Sequence, residues 1–406
     1  MIKIFFLGGY GRRETPVPIP NTEVKTQAAN GTSPKRRGRV GRRRGSFFIT
    51  KFLYSTTMPF QDIKSLTREE LCRFLSDNGH KPYRAEQIRV WLFKLMMQAY
   101  EGLNVPAELC RLLEANFRIK SLREEMKMES SDGTIKWLYR TADDFPVETV
   151  MIPTETRASV CVSTQSGCAM NCAFCRTGSM GFNRSLETGE ILEQIINVHK
   201  HFLKEEQNRT VTNVIFMGMG EPLMNLDAVH RACICLHDQK AFAMGKGRLT
   251  VSTSGVAPGI AELLERNTPC QLAVSLVAAD NETRECLMPV NKKWNLTELL
   301  KAIDNYLERS GEWVTLEYIL IKDKTCTKTA AENLIRIVKP RRCKVNAIVL
   351  NSNDNPELQA PSEQEVNEFL ESVRAKSVQI NIRNPRGRDI LAACGQLANE
   401  PCKVAI

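Results

Sequence analysis

The chain has 406 residues, 42% of them hydrophobic and 25% charged, the proportions of a globular protein with one large domain and a smaller attachment. No apolar run approaches the roughly 20 residues of a membrane span, which excludes a helical membrane protein. The formal net charge is +10, but residues 1–57 hold 12 Lys and Arg against 2 Asp and Glu, leaving 44 basic and 44 acidic residues in the remainder. Whole-chain charge is therefore weak evidence for a polyanionic partner. Fourteen cysteines without a compact secreted framework point to thiols kept reduced for metal or redox chemistry, and so to a cytoplasmic protein.

Residues 1–57 carry Lys35-Arg36-Arg37 and Arg42-Arg43-Arg44, lack apolar periodicity and read as a disordered basic tail. Three explanations rank in this order: a non-native extension with the true initiator at Met58, a transit peptide that would move the protein to an organelle stroma or matrix, and an RNA-binding arm. Residues 58–117 turn helical, with Thr67 as an N-cap and a second helix expected from Tyr83 to Met97. That predicts a small accessory domain. Residues 118–157 supply linking strands at Ile135–Arg140 and Val147–Ile152.

From 158 to 385 six strand-like runs alternate with amphipathic helical ones: Ser159–Ser163, Val211–Met217, Leu249–Ser254, Leu272–Leu276, Val314–Leu320 and Val345–Leu350. The alternation predicts an α/β domain with a parallel sheet, open or closed into part of a barrel. In such folds ligands bind beyond the carboxyl ends of the strands. Residues 386–406 form a C-terminal loop and tail.

Cys168, Cys172 and Cys175 fall in the loop after the first strand of this sheet. Three thiolates at spacings of four and three suit a 4Fe-4S cluster, which needs soft sulfur ligands. One iron would stay open to hold S-adenosylmethionine and pass an electron to its sulfonium. A zinc site lacking its fourth ligand and three unrelated cysteines are the plainer readings. Gly218-Met219-Gly220-Glu221-Pro222 follows the second strand, where glycine permits close approach and Glu221 can accept from a ligand ammonium. Ser252 at the end of the third strand and Asn351 after the sixth add polar groups at the same face, or merely cap helices. Cys161 and Cys394 read equally well as buried structural thiols.

The run from Cys161 to Phe182, the Gly-Met-Gly-Glu-Pro turn and the Ala-Cys-Gly-Gln-Leu ending closely resemble the radical S-adenosylmethionine methyltransferases that act on carbon 2 of adenine in 23S ribosomal RNA and transfer RNA. The resemblance extends from about Asp62 to Leu397. It implies a partial (β/α)6 barrel and a two-stage reaction: Cys394 is methylated by one S-adenosylmethionine, and a radical from a second turns that methyl group into the species that adds to the base. By the same resemblance Cys161 releases the RNA through a disulfide with Cys394, and Glu148 is the base. Gly220, Glu221, Ser252, Ser275 and Asn351 contact S-adenosylmethionine. A flavodoxin-type electron donor and a monomeric state are implied as well. Val277 stands where relatives commonly have histidine, and Arg176 replaces a commonly small residue. Two alternatives stay open: methylation of adenine carbon 8, and a non-catalytic RNA-binding protein with a structural cluster.

Overall fold

A computed structural model describes residues 61–205, 209–351 and 355–399. The basic tail 1–57 and the Met58 start lie outside the described residues, as does the end of the C-terminal tail.

The accessory segment forms where helical periodicity meets good caps. Helix α1 (Arg68–Asp77) opens on a capping box in which Thr67 and Glu70 exchange side-chain and backbone hydrogen bonds. Helix α2 (Arg84–Phe93) stops before Met97 because the chain turns at Met96, which takes φ 50°. Helix α3 (Ala107–Asn116) follows, and two-residue strands β1 (Gln61–Asp62) and β2 (Phe117–Arg118) pair across the segment's ends. A buried charge cluster ties this segment to the barrel. Lys64 Nζ lies 2.9 Å from Asp62 and 3.1 Å from Glu193, with all three side chains at most 2% exposed. Burial works against the ammonium, but the two carboxylates outweigh it and hold its pKa above the ordinary lysine value.

Strands β3 (Leu122–Glu129), β4 (Ile135–Thr141) and β5 (Pro146–Pro153) form an antiparallel meander that joins β6 (Ala158–Cys161). A short hairpin of β7 (Gln165–Gly167) and β8 (Phe182–Ser185) brackets helix α4 (Arg176–Ser179), and the 17-residue helix α5 (Thr188–Lys204) follows. Strand and helix then alternate through β9 (Asn213–Phe216), α6 (Leu226–His237), β10 (Leu249–Thr253), α7 (Ala257–Glu265) and β11 (Gln271–Val277). Helices α8 (Asn281–Leu287) and α9 (Leu296–Ser310) lead to β12 (Val314–Leu320), α10 (Lys328–Val338), β13 (Cys343–Val349), α11 (Glu363–Arg374) and β14 (Ile380–Ile382).

Among the described residues ten strands make one sheet in the order β14-β13-β12-β11-β10-β9-β6-β5-β4-β3, parallel from β14 to β6. The six expected strands are all present, and β14 extends them. Central strands are apolar because helices cover them: Val314, Leu316, Tyr318 and Leu320 of β12 are all fully buried. No helix among the described residues is long and apolar enough to cross a membrane.

Candidate active site

The three clustered cysteines sit at the tip of the β7–β8 hairpin, held by backbone hydrogen bonds: Cys168 N–H donates to Gly181 O at 2.8 Å, Cys175 N–H to Cys172 O at 3.0 Å and Ala173 N–H to Leu287 O at 2.9 Å. Gly167 has φ +73°, and a Cβ there would lie 2.0 Å from Gly181 O, so only glycine closes the hairpin. All three cysteines line one cavity of about 170 Å³ with Gly220, Glu221, Ser252 and Ser275. Gly220 needs its own freedom, since at φ +97° a Cβ would meet Gln165 Cβ at 2.5 Å.

Burial raises the thiol pKa values in this cavity, Cys168 to about 11. At Cys172 the neighbouring Cys175 and Cys168 charges add to the effect of burial. The donor set thus consists of soft sulfurs that an added cationic group would stabilise as thiolates, which suits an iron–sulfur cluster. Among the described residues no three Cys, His, Asp or Glu side chains converge on a single-ion site. Sulfurs that ligate different irons of one cluster do not share a single centre.

Glu221 has protein partners on both carboxylate oxygens. Its Oε1 accepts from Leu223 N–H at 3.0 Å and its Oε2 from Ser254 N–H at 2.7 Å, so the carboxylate braces two strand ends while facing the cavity. A second support is Arg284, fully buried, which donates to Leu276 O at 3.1 Å, Ser254 O at 2.7 Å and Asn291 Oδ1 at 2.8 Å. Burial draws this guanidinium down to about 10. Val277 also lines the cavity. It takes φ 63° while Ala278 N–H donates to Leu276 O at 2.8 Å, a γ-turn that strains a β-branched residue. Its side chain packs with Leu287, Met288 and Ile321.

A second cavity, of about 270 Å³, is lined by Cys161, Cys394, Asn351 and Arg383. Cys175, Arg383 and Cys394 line both cavities, so the two adjoin. The β6 end buries Cys161, whose thiol is pushed up to about 12 by burial and then by the charge of Cys394. Cys394 is exposed, and both cysteines are free thiols. Asn351 binds the C-terminal loop instead of leaving its amide open: Nδ2 donates to Cys394 O at 3.0 Å, and Oδ1 accepts from Arg388 Nε at 2.9 Å. The same loop is tied to the cysteine hairpin by Arg176 N–H to Gly395 O at 2.8 Å and Thr177 Oγ1 to Leu397 O at 2.7 Å. Nothing in the structure explains why Arg replaces a small residue at 176.

Glu148 lines neither cavity. It is 1% exposed on β5 and pairs with the equally buried Lys136 at 3.0 Å, while Lys136 Nζ also donates to Leu391 O at 3.2 Å. Burial raises its pKa and Lys136 pulls it back, with weaker help from the Asn399 and Ala398 amides. Its Oε2 has no close hydrogen-bond partner among the described residues.

Two cavity residues escaped sequence reading. Glu317 on β12 is 6% exposed, accepts from Asn346 Nδ2 at 3.0 Å through Oε1 and leaves Oε2 without a partner among the described residues. The Arg383 side chain donates a weak bond to Met217 Sδ at 3.7 Å, and the Cys394 charge, with those of Glu317 and Cys161, raises its pKa against burial. A glutamate inside the apolar run Val314–Leu320 was the available signal for the first. Nothing local marked the second.

Residues 162–325 match the radical SAM superfamily, and residues 61–117 match the ribosomal RNA large subunit methyltransferase N-terminal domain. A dual-specificity RNA methyltransferase RlmN from Geotalea uraniireducens is 38% identical over 83% of this chain and 96% of its own length. A probable enzyme of the same name from Flavobacterium johnsoniae is 36% identical over 85% of this chain and 99% of its own. The chain belongs to the RlmN family of RNA methyltransferases.

A crystal structure of a radical SAM methyltransferase from Sphaerobacter thermophilus superposes with a TM-score of 0.80 at 36% identity, covering 84% of this chain and all of that one. Radical SAM membership implies an iron–sulfur cluster and S-adenosylmethionine. The RlmN-type chain keeps its cysteine hairpin, Gly220-Glu221 turn, Ser252 and Ser275 within the superfamily match, whereas Cys161, Asn351, Arg383 and Cys394 lie outside it.

Proposed function

We propose that this RlmN-type enzyme methylates carbon 2 of adenine in 23S ribosomal RNA and in transfer RNA, with the methyl group carried on Cys394. The observation that carries the reading is the shared wall: Cys394 borders both the cavity of Cys168, Cys172 and Cys175 and the cavity of Cys161. When bound, a 4Fe-4S cluster on the three cysteines and S-adenosylmethionine supply the methyl group and the radical chemistry that a non-nucleophilic ring carbon requires. Gly220, Glu221, Ser252, Ser275 and Glu317 line the cavity that would hold S-adenosylmethionine. Asn351 holds the Cys394 carbonyl and so sets where the carrier thiol points.

Cys161, which lines the second cavity with Cys394, would attack the Cys394 sulfur of the RNA-linked intermediate, forming the disulfide as the sulfur–carbon bond breaks and its electron pair, with the Cys161 proton, passes to the methyl-derived carbon. Its high thiol pKa keeps it protonated until then. Glu148 supports this loop through Lys136. A flavodoxin-type protein would supply electrons to a monomeric enzyme in the cytoplasm. The proposed working parts are the accessory domain 58–117, the linking strands 118–157, the barrel 158–385 and the carrier segment 386–406.

The test is incubation of cluster-loaded protein with 23S ribosomal RNA and transfer RNA, followed by mass spectrometry of nucleosides. Methyl on adenine carbon 2, absent with Cys394→Ala while iron content stays at the wild-type level, is expected. Methyl on carbon 8 alone, or methylation by Cys394→Ala, would overturn the reading.

A further inference from the structure

A cavity of about 560 Å³ lies outside both catalytic cavities and shares no lining residue with them. It opens at the seam between the accessory segment, the edge strand β3 with its neighbour β4, and the C-terminal half of α5. Four lysines converge there from three parts of the chain: Lys120 after the accessory domain, Lys127 on β3, and Lys200 and Lys204 on α5. None of the four pairs with a carboxylate among the described residues. Lys200 Nζ is held by a neutral group, Gln98 Oε1, at 2.9 Å, and Gln98 Nε2 donates in turn to Asn197 Oδ1 at 2.9 Å. Only Glu124 and Glu205 bring negative charge to the lining.

The lysines feel one another. Burial, and then the Lys204 and Lys120 charges, hold the Lys200 ammonium below its ordinary range against the pull of Glu193. Burial and then Lys127 lower the His201 imidazole against the pull of Glu205, and its ring meets the buried Trp137 edge to face at 5.4 Å. Outside the basic tail the chain is formally neutral. A concentration of unpaired lysines across a seam therefore needs a counter-charge from elsewhere.

We propose that this cleft is a second RNA contact, a cradle for the phosphodiester backbone of substrate RNA remote from the nucleotide being modified. The inference rests on the proposed RNA substrate. Lys200 and Lys204 stand 12 and 16 residues along α5 from Thr188, about 18 and 24 Å from the helix start nearest the cysteine hairpin. The reacting nucleotide cannot span that distance from the catalytic cavities, but a folded RNA can. Gln98 belongs to the segment that matches a ribosomal RNA methyltransferase domain, so the cleft joins that segment to the barrel.

The experiment uses the cluster-loaded full chain and the triple variant Lys127→Gln, Lys200→Gln, Lys204→Gln. A matched control, Lys301→Gln, Lys339→Gln, Lys376→Gln, removes the same charge from other exposed sites. Binding of an intact transfer RNA and of a short stem–loop around the modified adenine is measured across salt concentrations. For the cleft triple and the intact RNA, the slope of log K against log salt should flatten by about 2 to 3, because each phosphate that a lysine no longer neutralises lowers it by roughly 0.7–0.9. KM should rise with kcat unchanged, and the stem–loop should bind as before.

Equal losses in both triples, or no loss in the cleft triple, would overturn the proposal. So would intact RNA binding with slower reduction by an acidic electron-donor protein, which would give the cleft to that partner. Wild-type protein that binds RNA through the cleft but methylates none would overturn the proposed function and leave the cleft standing.

Discussion

Replacing Lys136 by methionine isolates the buried pair beneath the C-terminal loop. The side chains of Lys136 and Glu148 are 3% and 1% exposed with 3.0 Å between the charged atoms, so removing the cation leaves a desolvated carboxylate whose other oxygen has no close hydrogen-bond partner among the described residues. Breaking a buried pair from one side costs about 3–5 kcal/mol, and loss of the Lys136 bond to Leu391 O adds about 1 kcal/mol. The cost depends on pH. Glu148 has a folded pKa above its unfolded value, so its contribution is fully present below the unfolded pKa and is lost as pH rises through the folded one. Without Lys136 the folded value climbs further. The deficit of Lys136→Met should therefore be small near pH 4 and grow toward pH 8. Urea unfolding followed by tryptophan fluorescence at both pH values measures it. Adding Glu148→Gln should recover most of the loss, because no charge then remains to bury. A Lys136→Met protein as stable as wild type at pH 8, or a double variant no better than the single, would refute the reasoning.

Two further outcomes test the cavity walls. Glu317→Gln should weaken S-adenosylmethionine binding to the cluster-loaded protein about tenfold, or about 1.4 kcal/mol, without altering the cluster's absorbance; calorimetry that finds unchanged affinity removes Glu317 from the ligand set. Gly167→Ala places a Cβ 2.0 Å from Gly181 O at positive φ, so the hairpin must open and bound iron should fall well below three-quarters of the wild-type content, at a folding cost of about 1–3 kcal/mol. Full iron loading in that variant would show that the turn tolerates a side chain.

The barrel was legible because buried parallel strands are written as apolar runs, and β12 matches its expected bounds, Val314–Leu320, at both ends. Strand β3 was missed: Leu122–Glu129 carries five charged residues and lies at the sheet edge, where charge blocks further pairing and hides the pattern. The cysteine hairpin could be located from spacing plus its position after the first strand. The approach of Cys394 to Cys161 could not, because it depends on a loop arriving from more than 230 residues away in sequence, and only resemblance suggested it. Resemblance alone made Glu148 a base, since nothing around it in the sequence marks it; in the structure it lies in a buried ion pair with Lys136. Glu317 was visible as an anomaly inside an apolar strand, and Arg383 acquires meaning only from its place between two cavities.

The segment bearing Cys394 is fastened across the cysteine hairpin by single hydrogen bonds from Asn351, Arg176 and Thr177. The hairpin is synthesised more than 200 residues earlier. During synthesis the N-terminal part of the chain takes shape first, so the cavity of Cys168, Cys172 and Cys175 stays open on that side until the last stretch is made. A group too large to slip past the closed loop has its easiest entry in that interval. Later loading requires a few bonds of about 1 kcal/mol each to be broken together. Order of manufacture thus becomes part of how the centre is filled, and moving the Cys394 segment ahead of the barrel by circular permutation would close the door before the room is furnished.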